Sequence, residues 1–256
     1  MLRGIDISNW QAGLDADAVF PNVDFVICKA TEGVGFVDGY CDGWVQWCRR
    51  NGKPWGFYHF ANSNDPVKEA VHFIDNTSNY FGEGVPVLDW EGDQSVDWVN
   101  EFVNIVHDQT GIWPWIYANP WRFNQGGVEP NCMRWIASYP DVLRPGLDYD
   151  PGEPPETDGL VGCWQYASDG QVPGYAGNLD VNHFFGSVGA WAAYAGVPST
   201  GAENKPTGQI PRDNSREVMY DGHAPESKLS SASVGHPVKR ARAHTENSPL
   251  CDSLFG

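Results

Sequence analysis

Asp89 and Glu91, in the stretch PVLDWEG from Pro86 to Gly92, are two carboxylates two residues apart at the end of an apolar run. Side chains of a strand alternate between its faces, so the two acids share one face and Trp90 takes the other. Val85, Val87 and Leu88 give the β-branched, apolar context of a buried strand, and Gly84, Pro86 and Gly92 mark its limits. One carboxyl kept protonated as a general acid beside one kept ionised against a positively charging sugar ring is the chemistry of glycoside hydrolysis. A solvated strand end and half of a divalent-metal site are the competing readings of so short a motif.

Two further segments carry an acid out of phase with their hydrophobic residues. Leu2 to Gln11 reads LRGIDISNWQ, with Asp6 between Ile5 and Ile7, and Asn178 to Phe185 reads NLDVNHFF, with Asp180 between Leu179 and Val181. An acid set among isoleucines or valines is costly to bury without a use or a partner. Three strands are thus expected to bring acid to one end of a sheet.

The elements that must do this positioning alternate as βα units. Strands are expected near 3–8, 23–30, 54–60, 85–91, 112–117, 133–138, 160–166 and 178–182, and helices at about 38–51, 65–80 and 95–110. Asp65 followed by Pro66 is a strong helix start. Regular helices fade after Trp115, and 141–158 is rich in Pro, Gly and Asp. Strands alternating with helices predict a parallel sheet, with an active site at the strands' C-terminal ends.

Composition narrows the class of partner. The 256 residues are 41% hydrophobic, enough for one substantial core, and no apolar run reaches membrane-spanning length. Seven of the 16 Lys and Arg and seven of the 33 acids lie beyond residue 200, so the net charge of −17 belongs to the first 200 residues. Such a body disfavours nucleic acid, which demands basic patches. Its 12 Trp, 10 Tyr and 12 Phe suit recognition by stacking. The six cysteines show no CxxC or Cys/His metal spacing; Cys28 and Cys163 read as small core hydrophobes of a reduced protein.

GIDISNWQ, the DFVICKATEG of Asp24 to Gly33, the GFYHFA of Gly56 to Ala61, the DWE of Asp89 to Glu91, and the late CWQYAS and NLDVN together resemble glycoside hydrolase family 25, the Chalaropsis-type lysozymes. The resemblance runs in order from about Leu2 to about Trp191. It implies an irregular TIM-like (β/α)5(β)3 barrel and an endo-acting muramidase that cleaves the β-1,4 bond between N-acetylmuramic acid and N-acetylglucosamine, with no cofactor and no metal. Glu91 matches the family's catalytic acid, a role that like charge from Asp89 and Asp6 should support by raising its proton affinity. Asp89 then reads as the ionised partner, with Asp6 and Asp180 as the other acids of the cluster. Tyr58, Tyr117, Tyr139, Trp164 and Gln165 are placed around the acids as sugar contacts. Lys29 matches a cleft position, where pairing with Asp6 or another acid would keep that acid ionised. His59 and Trp115 read as core.

Residues 1–196 are read as the catalytic barrel and 197–256, beginning VPSTGAENKP, as a linker and mostly disordered tail without repeats. With the first candidate acid at position 6, no leader of ~15–30 residues is expected ahead of it. The expectation is synthesis in a host cytoplasm, release through holin pores as for a phage endolysin, action on bacterial peptidoglycan without membrane insertion, and a monomer. A chitinase-like glycosidase and a non-catalytic wall-binding module are the alternatives; retention of all four acids speaks against the second.

Overall fold

The computed structural model describes residues 1–198. The expected tail from 199 onward, with its basic cluster Lys239, Arg240 and Arg242 and with Cys251, lies outside the described residues. The strands are β1 (Leu2–Ile7), β2 (Phe25–Glu32), β3 (Phe36–Val37), β4 (Trp55–Phe60), β5 (Val85–Asp89), β6 (Trp115–Ala118), β7 (Arg134–Ala137), β8 (Val161–Gly170) and β9 (Leu179–Phe184). The helices are α1 (Ala16–Val19), α2 (Cys41–Asn51), α3 (Pro66–Thr77), α4 (Val96–Thr110), α5 (Pro120–Phe123) and α6 (Val188–Tyr194). Among the described residues no helix is long and apolar enough to cross a membrane.

Eight strands close into a barrel in the order β1, β9, β8, β7, β6, β5, β4, β2, with β2 returning to pair with β1; the short β3 adds to β2 from outside the ring. Seven strands run parallel, but β9 is antiparallel to both of its neighbours, which corrects the expectation of a wholly parallel sheet. The connection from β8 to β9 explains it: with no crossover helix between them, the chain can only fold back.

Alternation sorts the side chains cleanly. Ile5, Val26, Cys28, Phe57, Leu88 and Ile116 face out into the layer of helices, whereas Phe25, Ile27, Val85, Val87, Trp115, Trp135 and Cys163 fill the barrel interior. Trp115 is therefore core as expected, and it lies on the inner face, two residues before Tyr117. The short helix α6 closes the N-terminal end: Trp191 packs on Phe25, Trp115 and Phe184 and donates from Nε1 to the Trp55 carbonyl at 3.1 Å.

The helix α4 shows why the outer layer forms. Val99, Phe102, Val103 and Val106 recur on one face and are buried, Ser95 caps the first turn by accepting from the Trp98 N–H, and Gly111 ends the helix at φ 75°, which only glycine adopts at little cost. Each such fully buried apolar side chain contributes about 1.5–3 kcal/mol. The outer layer also buries charge, on α3 among other places. Glu69 of α3 lies 2.9 Å from His59 Nε2, accepts from the N–H groups of Asn62 and Asn64, and holds His59 against Thr31 Oγ1 at 2.8 Å. Burial lowers the proton affinity of His59, so the imidazole is neutral, donating to Glu69 from Nε2 and accepting from Thr31 at Nδ1. His59 is thus buried outside the barrel, and its network pins the loop that follows β4.

Candidate active site

At the C-terminal ends of the parallel strands a cleft of about 360 Å³ is lined by all four acids, Asp6, Asp89, Glu91 and Asp180. A larger hollow of about 670 Å³ beside Arg49, Trp55 and Val197 holds one acid, Glu83, already paired with Arg49 at 2.7 Å, and so offers no acid pair. Asp6 is next to last in β1, Asp89 ends β5, and Asp180 reaches the same mouth from the opposite direction because β9 enters the barrel there. In the β1–β9 register Asp6 stands directly opposite Asp180.

Asp6 is buried, and its Oδ2 accepts from Gln165 Nε2 at 3.0 Å and Asn182 Nδ2 at 2.7 Å. Gln165 is itself oriented, since its Oε1 accepts from the hydroxyls of Tyr117 at 2.8 Å and Tyr139 at 2.6 Å. Asn182 Oδ1 accepts from Trp135 Nε1 at 2.8 Å. With every amide oriented in this way, the cleft meets substrate with little rearrangement.

Burial pushes the Asp6 carboxyl up to about 6 against the donors from Gln165, Asn182 and Asp180 that hold it down. Asp180 is pushed up to about 9, by burial first and then by the charge of Asp6, to which it hydrogen-bonds. The pair therefore shares a proton, as like charges this close cannot both ionise freely. Asp89 is raised well above the ordinary carboxylate range by burial, then by Glu91 and Asp6, with Lys29 opposing. Its Oδ1 is buried and has no hydrogen-bond partner among the described residues. Asp89, read from the sequence as the ionised partner, is instead the acid whose proton affinity burial raises, being only 6% exposed, whereas Glu91 lies exposed two residues past the end of β5.

A carboxyl whose native proton affinity is raised stabilises the fold only while protonated. For Asp180 that contribution is whole below about pH 4 and is lost progressively as pH rises toward 9. Asp180→Asn is expected to flatten the fall of melting temperature between about pH 5 and pH 8, by at most about 1.4 kcal/mol of stability per pH unit. Thermal unfolding across that range checks it; an unchanged slope would mean that the proton is not held there.

Of the other expected residues, Lys29, Tyr58, Tyr117, Tyr139 and Gln165 line the cleft. Lys29 pairs with Glu32 at 2.5 Å rather than with Asp6, and its ammonium lies 4.8 Å from the Phe60 ring centroid. Trp164 is not in the cleft lining. As the neighbour of inward-facing Gln165 it must face outward, where it packs in the outer layer and donates from Nε1 to the Ser138 carbonyl at 2.6 Å. Sequence reasoning missed Trp10, 84% exposed on a turn whose capping box joins Ser8 and Gln11, and also Trp135, Asn182 and Ser168. The period-2 phase of NLDVN could have found Asn182, which shares a face with Asp180.

An eight-stranded α/β barrel with carboxylates gathered at one mouth among aromatic side chains defines a glycoside hydrolase in architecture and chemistry. The chain belongs to glycosyl hydrolases family 25, whose model matches residues 5–175. It is 29% identical over 191 residues to the autolytic lysozyme of Clostridium acetobutylicum, covering 72% of this chain and 56% of that protein. It is 28% identical over 187 residues to the N,O-diacetylmuramidase of Chalaropsis, covering 64% of this chain and 84% of that one. The structure of a muramidase from Acremonium alcalophilum superposes with a TM-score of 0.62 at 27% identity, over 77% of this chain and 99% of the other. The chain thus spans just over half the length of the clostridial lysozyme.

Proposed function

We propose that the protein is an endo-acting N-acetylmuramidase that cleaves the β-1,4 bond between N-acetylmuramic acid and N-acetylglucosamine in bacterial peptidoglycan. The observation that carries it is the pairing of a buried acid, Asp89, having an oxygen without a partner, with an exposed acid, Glu91, in one aromatic-lined cleft. Family membership and the muramidase relatives support the choice of polymer.

In this reading Glu91, at the open edge, protonates the glycosidic oxygen as the bond to the sugar's anomeric carbon breaks. Asp89 faces the reacting sugar with its unpartnered oxygen, placed to orient the 2-acetamido group that attacks the anomeric carbon from within the substrate, or to balance the oxocarbenium-like charge directly. Glu91, left ionised, then takes a proton from the incoming water, so that the configuration is retained. Asp6 and Asp180 hold the sugar's polar groups and, with Gln165, Tyr117 and Tyr139, keep the cleft preorganised. Trp10 and Tyr58 offer apolar faces to sugar rings. The irregular (β/α)5(β)3 description fits the fading of crossover helices after α5. Holin-dependent release and a monomeric state belong to the same proposal.

Digestion of purified peptidoglycan, borohydride reduction and identification of the newly reduced sugar test the reaction. Muramitol is the expected product. Glucosaminitol would mean a glucosaminidase, and the absence of any new reducing end would favour a binding module.

A further inference from the structure

We propose that Arg122 is the positioning residue of Glu91, fixing the direction in which that side chain enters the cleft; the inference rests on the reading of Glu91 as the catalytic acid. Glu91 lies beyond the last paired residue of β5, and among the described residues no side chain hydrogen-bonds its carboxylate. The aim of the carboxyl is therefore set by its backbone. That backbone is held at two points. The Trp90 N–H donates to the Tyr117 carbonyl at 2.8 Å, which extends the β5–β6 pairing by one step. Immediately after it, Arg122 Nη2 donates to the Glu91 carbonyl at 2.7 Å.

Arg122 is suited to this in a way that follows from its own anchoring. Its guanidinium lies 5.0 Å from the ring centroid of Trp90, a buried indole whose Nε1 donates to the Gln94 carbonyl at 3.0 Å. One planar cation thus covers the residue before Glu91 and hydrogen-bonds Glu91 itself. The Arg122 N–H donates to Asn119 Oδ1 at 3.1 Å, the cap of α5, and Asn119 directly follows β6. The position of the acid is in this way referred back to the rigid barrel through β6, Asn119 and Arg122. A Cβ at Gly92 would come within 2.8 Å of the Gln94 side-chain amide, so glycine there leaves that amide in place.

The test is steady-state kinetics on soluble, un-cross-linked peptidoglycan strands with Arg122→Ala, Arg122→Lys and, as reference, Glu91→Gln. Arg122→Ala is expected to lower kcat about ten- to a hundredfold, the penalty of a small misplacement of a reacting group, with KM within about twofold of the wild type. Arg122→Lys is expected to restore part of kcat, since an ammonium reaches the carbonyl but offers no planar face to Trp90. A wild-type kcat in Arg122→Ala alongside an inactive Glu91→Gln would overturn the proposal and leave the role of Glu91 standing. Normal activity in Glu91→Gln would remove both. A loss shared by kcat, KM and melting temperature, without rescue by lysine, would show a general loosening of the fold and also overturn it.

Discussion

Glu91→Gln is expected to lower hydrolysis of peptidoglycan about a thousandfold while leaving the melting temperature close to that of the wild type. The magnitude is that of a lost general acid, about 10²–10⁴-fold, and the amide keeps the size of the side chain while losing the transferable proton. Stability should be spared because Glu91 is exposed and its one side-chain-mediated tether among the described residues, from Arg122, reaches the main-chain carbonyl, which the substitution retains. Release of reducing ends from purified wall, read beside thermal unfolding, checks both halves. Activity within tenfold of the wild type would place the proton donor elsewhere in the cleft.

Asp89→Asn separates chemistry from stability in a different way. The buried carboxyl holds its proton well above the ordinary carboxylate range, so its contribution to folding is complete in acid and is lost as pH rises through its native range. Asparagine resembles the protonated form at every pH. The variant should therefore be no less stable than the wild type near neutrality, with a weaker dependence of melting temperature on pH. Hydrolysis should nevertheless fall about 10²–10³-fold, because the amide, unlike the carboxyl, cannot give up a proton to become a carboxylate as positive charge develops on the sugar ring. Melting curves at two pH values and kcat for the same preparation give the comparison. A variant that is both fully active and more stable would reduce Asp89 to a structural acid.

Much of the site was legible because strand alternation is a local rule. Asp6 between two isoleucines, Asp89 two residues before Glu91, and Asp180 between Leu179 and Val181 each announce an inward face, and the structure places all of them at one mouth. The long helices α2, α3 and α4 were legible from their caps and apolar spacing. The short ones were not: α1, α5 and α6 have four to seven residues, too few for a periodic signal, and α6 exists because Trp191 closes the barrel floor. Trp164 was misplaced because its type suits a sugar contact; its phase against Gln165 decides against that.

The sequence by itself determined which residues are acids, which faces they share and which family pattern they compose, since residue identity, period-2 alternation and motif order need no knowledge of distant contacts. Only the tertiary structure decided that β9 runs antiparallel so that Asp180 faces Asp6, that burial raises Asp89 while Glu91 stands at the edge, that Lys29 pairs with Glu32, and that Arg122 reaches back to Glu91. Each of these depends on which remote segments close around a group and how much water they exclude, and desolvation and Coulomb interaction are properties of that assembled surrounding rather than of any local stretch of chain.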